Sequence, residues 1–186
     1  MQTIWDGQRS GPVVARYLDA YDILVRRNEA IPILEKVRAK KEPTLDARVS
    51  SQKPFGLRTF FHGKPDPKRL KNPVKLFGSQ KDSWVNRSEI PANTSWIDKW
   101  KVLTTRVQGT SAAIETKFLS KPIIAEPGTA CTESYLVAGV FDTEAEATNY
   151  AKYLRTRFAR FLVSLRKSTQ DAPKHVYAFI PDLPLD

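Results

Sequence analysis

An α+β protein, built on a mixed or antiparallel sheet with a long amphipathic helix near the C-terminus, is the architecture this sequence predicts. Apolar runs of strand length occur without regular alternation with helical patterns, one strong helical stripe starts at Thr143, and a Pro-rich middle interrupts any long element. At 186 residues and 41% hydrophobic composition, the chain is long enough to bury one full core or two small ones. No internal repeat appears.

Taken in order, Met1 to Pro12 shows no clear periodicity around Trp5, and residues 1–20 are expected to be a linker or entry segment to a folded domain spanning 21–186. Tyr21 to Arg26 is compact and apolar, like a strand. Asn28 can then cap a short helix through Ile31, Leu34 and Val37, with Pro32 suited to its first turn and Lys36, Arg38, Lys40 and Lys41 crowding its end. Five prolines and two glycines between residues 43 and 75 limit regular structure there, although Leu57 to Phe61 has strand composition and Lys64 to Lys71 reads as an exposed basic loop. Val74 to Phe77 and Trp84 to Asn86 flank a polar turn as a hairpin. Ser88 or Asn93 can open short turns before Trp96, and Lys101 to Val107 has strand composition.

The second half is apolar. Pro122 to Ala125 and Tyr135 to Phe141 read as buried strands around the Glu126-Pro-Gly128 turn. Asp142 or Thr143 starts the best helix, because Thr143 and Glu146 have capping-box spacing. Ala147, Tyr150, Ala151, Leu154, Phe158, Phe161, Leu162 and Leu165 then make one apolar face about six turns long. His175 to Ile180 reads as a last strand.

Charge divides the chain differently. The formal net charge is +10, yet residues 36–117 hold 18 Lys and Arg against 7 Asp and Glu, while the rest is nearly neutral. A basic half at 36–117 is therefore distinguished from an apolar scaffold half at 118–186. Concentrated positive charge attracts a polyanion and releases its counterions on contact, so nucleic acid is the first partner to consider. A lysine-rich solvated face is the bland alternative.

Catalytic patterns are mostly eliminated. The glycine spacing permits no P-loop or dinucleotide fingerprint, and His62 and His175 have neither HExxH spacing nor cysteine companions for a zinc site. Glu115-Thr-Lys117 has the E-x-K form of magnesium-dependent nucleases, in which a carboxylate holds the metal and the lysine polarises water, but the preceding acid is missing from a suitable strand. A lone Cys131 allows no internal disulfide and fits a reducing compartment. Without a signal peptide pattern or an apolar run long enough for a bilayer, the expected location is soluble and cytoplasmic, with no membrane partner.

Tyr21-Asp-Ile-Leu-Val-Arg26 with Asn28-Glu-Ala-Ile-Pro-Ile-Leu-Glu-Lys-Val37, Pro54-Phe-Gly-Leu-Arg-Thr59, Lys121-Pro-Ile-Ile-Ala-Glu-Pro-Gly-Thr-Ala-Cys-Thr-Glu-Ser-Tyr-Leu-Val137 and Arg160-Phe-Leu-Val-Ser-Leu-Arg-Lys-Ser-Thr-Gln170 carry a resemblance that covers nearly the whole chain. Together they resemble the region after the catalytic domain in type IIG-like adenine-specific DNA methyltransferases of restriction-modification systems. That resemblance implies a target recognition domain that binds double-stranded DNA sequence-specifically. A methyltransferase domain on its N-terminal side would methylate adenine N6 with S-adenosylmethionine. The Asn-Pro-Pro-Tyr motif and glycine loop of that half are not present here, since Asn72-Pro73 continues as Val74-Lys75. The implied fragment is a separated recognition domain with no catalysis and no cofactor of its own, partnered by DNA and by the methyltransferase domain.

The expected contact surface lies in the basic half: Arg58, Lys64, Lys68, Arg69, Lys71, Lys75, Lys81 and Arg87 toward phosphates, with Gln80 or Asn86 as candidate base readers. The resemblance does not itself identify these contacts. Trp84, Trp96 and Trp100 are more often core than stacking platforms. An RNA-binding or protein-interaction module, or a nuclease using Glu115 and Lys117, remains the alternative.

Overall fold

The computed structural model describes residues 1–5, 8–107 and 119–185. Its strands are β1 (Thr3–Trp5), β2 (Gln8–Ser10), β3 (Pro73–Phe77), β4 (Ser83–Asn86), β5 (Trp100–Thr105), β6 (Ile123–Ala125), β7 (Thr129–Cys131) and β8 (Tyr135–Phe141). The helices are α1 (Ile31–Ala39), α2 (Glu144–Leu154) and α3 (Arg157–Arg166). The class is α+β, as the sequence predicts. None of these helices is long and apolar enough to cross a membrane.

An antiparallel sheet in the order β6-β5-β8 occupies the centre; the near-continuous apolar composition of β8 reflects burial on both faces, and β5 is buried likewise although it carries Lys101, Thr104 and Thr105. Successive side chains alternate between two cores. Val102, Leu136 and Ala138 face a core shared with α1, α2 and α3, whereas Leu103 and Val137 face a core shared with β3, β4 and β7. A bulge opposite Val102 and Leu103 leaves Ala138 of β8 without a partner and resets the alternation there, so that Val140 packs on the second core and Phe141 on the first. The second sheet, in the order β4-β3-β7, thus lies on the side away from the helices. Its β3–β4 hairpin is antiparallel, as expected from the sequence, and β7 joins β3 in parallel.

The long helix stripe is real but divided. Thr143 Oγ1 accepts from the Glu146 N–H at 3.2 Å and the Glu146 carboxylate accepts from the Thr143 N–H at 2.9 Å, the capping box expected from their spacing. The helix ends after Leu154, because Thr156 is extended at φ −62° and ψ 150°. Its Oγ1 accepts from the Ala159 N–H at 3.1 Å and starts α3 afresh. The break resets the buried face: Ala159, Leu162 and Val163 are inward in α3, and Phe158 is 38% exposed.

Three short apolar runs read as strands are not strands. Tyr21 to Arg26 bends over its first three residues and joins no strand ladder, although the Arg26 carbonyl accepts from the Ile4 N–H at 2.8 Å. Leu57 to Phe61 ends in a turn closed by the Phe61 N–H on the Arg58 carbonyl at 3.0 Å, and His175 to Ile180 begins inside a 3-10 turn, Lys174–Tyr177. At this length burial alone does not distinguish a strand from a packed coil. The first residues, which carry no periodicity, form the β1–β2 pair, and Thr3 Oγ1 donates to the Glu29 carboxylate at 3.0 Å. Asn28 does not cap the helix; its Nδ2 donates to the Met1 carbonyl at 2.9 Å.

Lys101 is fully buried on β5 despite belonging to the basic stretch. Its ammonium donates to the carbonyls of Lys99 at 2.6 Å, Trp96 at 3.0 Å, Ile97 at 3.3 Å and Glu126 at 3.4 Å, tying the turn before β5 to the turn before β7. Desolvation lowers its pKa to about 8. Cys131 is buried in the adjoining core, where burial pushes its thiol pKa up.

Candidate nucleic-acid interface

The β4-β3-β7 sheet buries Val74, Leu76 and Val85 and turns Lys75, Trp84 and Asn86 outward, while half-buried Phe77 packs against the second core beside Tyr135. Gly63 allows a further piece of chain to lie against the free edge of β4. A Cβ there would stand 2.3 Å from the Trp84 carbonyl oxygen, so only glycine permits the approach. The next residue, Lys64, bridges Trp84 through bonds of 2.7 and 2.8 Å, and Trp84 lies opposite Lys75 on β3. Directly opposed residues share a face, giving one transverse row of Lys64, Trp84 and Lys75.

The remaining expected contact residues surround this sheet. Lys68 and Arg69 are on an exposed 3-10 turn, Pro67–Arg69, capped where the Asp66 carboxylate accepts from the Lys68 N–H at 2.9 Å. Lys71 is held beside β4 because its N–H donates to Asn86 Oδ1 at 3.1 Å. Gln80 and Lys81 are exposed in the connection between β3 and β4. The fold therefore gathers these positions around one sheet layer, on the side of the central sheet away from the helices.

Their electrostatic states differ. Arg87 makes a bidentate pair with Asp98 at 2.6 Å to each oxygen and also donates to the Thr94 carbonyl at 3.0 Å. The pair lowers the Asp98 carboxyl pKa and raises that of Arg87, chiefly through these hydrogen bonds. Lys75 is 3.3 Å from Asp82 and 5.0 Å from the Phe77 ring centroid, and Arg58 is 4.0 Å from Glu133. By contrast, Lys64, Lys68, Arg69, Lys71 and Lys81 are exposed and make no ion pair among the described residues. Their fields are left to solvent and to any anionic partner. Asn86 keeps its amide Nδ2 without a hydrogen-bond partner among the described residues.

Sequence reasoning grouped the three tryptophans as core candidates. Trp96 and Trp100 do pack against the two cores, but Trp84 belongs to neither. Its alternation with Ser83 and Val85 was the available signal, and the choice of outward face needed the register with β3. Phe60, 75% exposed beside Arg58, was likewise missed as a surface aromatic. His175 lines a separate cavity of about 310 Å³ with Asp46, Arg106 and Lys174. Glu115 and Lys117, the nuclease candidates, lie outside the described residues. Comparison with family models, curated proteins and solved structures yields no match.

Proposed function

We propose that the chain binds double-stranded DNA through the β4-β3-β7 sheet and its flanking turns, reading sequence as the target recognition domain of a restriction-modification adenine-N6 methyltransferase. The supporting observation is the set of five exposed cations, Lys64, Lys68, Arg69, Lys71 and Lys81, that surround one sheet without ion-pair partners among the described residues. Such cations bind phosphates with little competing internal attraction, and they set register while a few polar groups read base edges. Gln80 at the hairpin and the Asn86 amide are the base readers in this proposal. Methyl transfer and S-adenosylmethionine belong to a methyltransferase domain on the N-terminal side, for which the exposed apolar Val13, Tyr17, Leu18 and Leu24 offer a docking surface.

Selection from a pool of random duplex DNA, followed by sequencing of the bound fraction and anisotropy at two salt concentrations, tests the reading. Enrichment of a short motif with salt-sensitive affinity is expected. Binding without enrichment would leave an electrostatic module, and no duplex binding at low salt would sink the proposal.

A further inference from the structure

Both backbone hydrogen bonds of Trp84 go to Lys64. The alternation of an antiparallel ladder then puts Trp84 and Lys75 in the close, non-hydrogen-bonded type of pair across β4 and β3. The indole consequently stands between two lysines on the sheet face, half-buried and outside both apolar cores. Among the described residues no aromatic ring or cation packs on it.

A perfect duplex supplies phosphates for the lysines but no ligand suited to the indole, because paired bases present edges and keep their faces stacked. An unpaired base exposes a π face of the kind that aromatic side chains on nucleic-acid-binding sheets take up, with a phosphate on each side. Lys75 is already 3.3 Å from Asp82, but that carboxylate is 44% exposed and such a pair yields readily to a phosphate.

We propose that this face holds an unpaired nucleobase of DNA stacked on Trp84, with its flanking phosphates neutralised by Lys64 and Lys75. The inference rests on the DNA-binding reading and narrows it: the preferred ligand is a duplex carrying unpaired bases.

The test compares three fluorescein-labelled probes by anisotropy: a perfect duplex, the same duplex with a central three-nucleotide bulge, and that bulged structure in RNA. The intact chain should bind the bulged DNA about tenfold more tightly than the perfect duplex, the scale of one stacked base. Trp84→Ala should remove that preference while leaving perfect-duplex affinity within about twofold, and Trp84→Phe should retain part of it. If Trp84→Ala fails to fold, tryptophan fluorescence supplies the second measurement: bulged DNA should quench the wild type, and the quenching should be lost in Trp84→Phe. Equal affinity of the wild type for bulged and perfect DNA overturns the inference and leaves duplex recognition standing. A preference that survives in folded Trp84→Ala overturns the placement on this residue. Tighter binding of the RNA probe overturns DNA as the ligand, and no binding to either DNA overturns both readings.

Discussion

Lys101 shows how a cation in a basic stretch can be wholly structural. Its ammonium is enclosed by four carbonyl oxygens, and desolvation lowers its pKa to about 8. Below pH 8 both folded and unfolded chains carry the proton, so the desolvation cost is present in full. Between about pH 8 and the unfolded value of 10.5 the unfolded chain binds more protons, and stability rises with pH. Urea unfolding should show a gain of about 1 kcal/mol from pH 8 to pH 10 after allowance for residual solvent screening. Lys101→Met should flatten that rise, and an unchanged slope in the variant would assign the effect elsewhere. The window closes above pH 10, where Tyr153 and Tyr177, each raised to about 12 by burial, begin to favour the unfolded chain. Arg166 is another fixed cation: it forms a bidentate pair with Asp22 at 2.8 and 2.6 Å and packs 4.5 Å from the Phe179 ring centroid, so its guanidinium is committed within the fold.

Among the elements, α2 and α3 show one residue overriding a periodic pattern. Thr156→Ala removes the acceptor for the Ala159 N–H and should cost about 1 kcal/mol in thermal or urea unfolding. No loss would mean that packing alone sets the break. Gly63→Ala should cost about 1–3 kcal/mol and weaken DNA binding, because its Cβ would force the Lys64 segment away from β4. Unchanged unfolding and binding would contradict the close-approach role. These two positions also mark what was legible in the sequence. The capping box at Thr143, the β3–β4 hairpin and the strands β5 and β8 were readable because local spacing agrees with the β-branched composition of β5 and the long apolar run of β8. Thr156 was hidden inside a pattern that fits one continuous helix. The false strands at residues 21–26, 57–61 and 175–180 have strand composition but satisfy their backbones elsewhere. At the candidate site, the concentration of charge was legible, whereas the pairing of Arg87 with Asp98 and the outward turn of Trp84 depend on tertiary register.

For the molecule as a whole, five unpaired cations around one sheet predict a steep ionic-strength dependence. If all five contact phosphates, the slope of log affinity against log salt should be about −4.5 for duplex DNA. Lys68→Ala or Arg69→Ala should each weaken binding to every sequence and reduce that slope by about 1, measured by anisotropy across a salt series. Loss confined to one sequence would assign the residue to base reading instead. The parallel junction of β3 with β7 has a separate kinetic consequence. The hairpin partner β4 lies a few residues from β3, but β7 follows only after β5 and β6 have passed through the central layer. Closing that long loop costs chain entropy that the local hairpin does not, so β3 and β4 are expected to associate before β7 completes their sheet. During synthesis, the β4-β3-β7 layer consequently acquires its third strand only when the chain through β7 has emerged, so the proposed binding surface would be completed later than the basic residues placed on it.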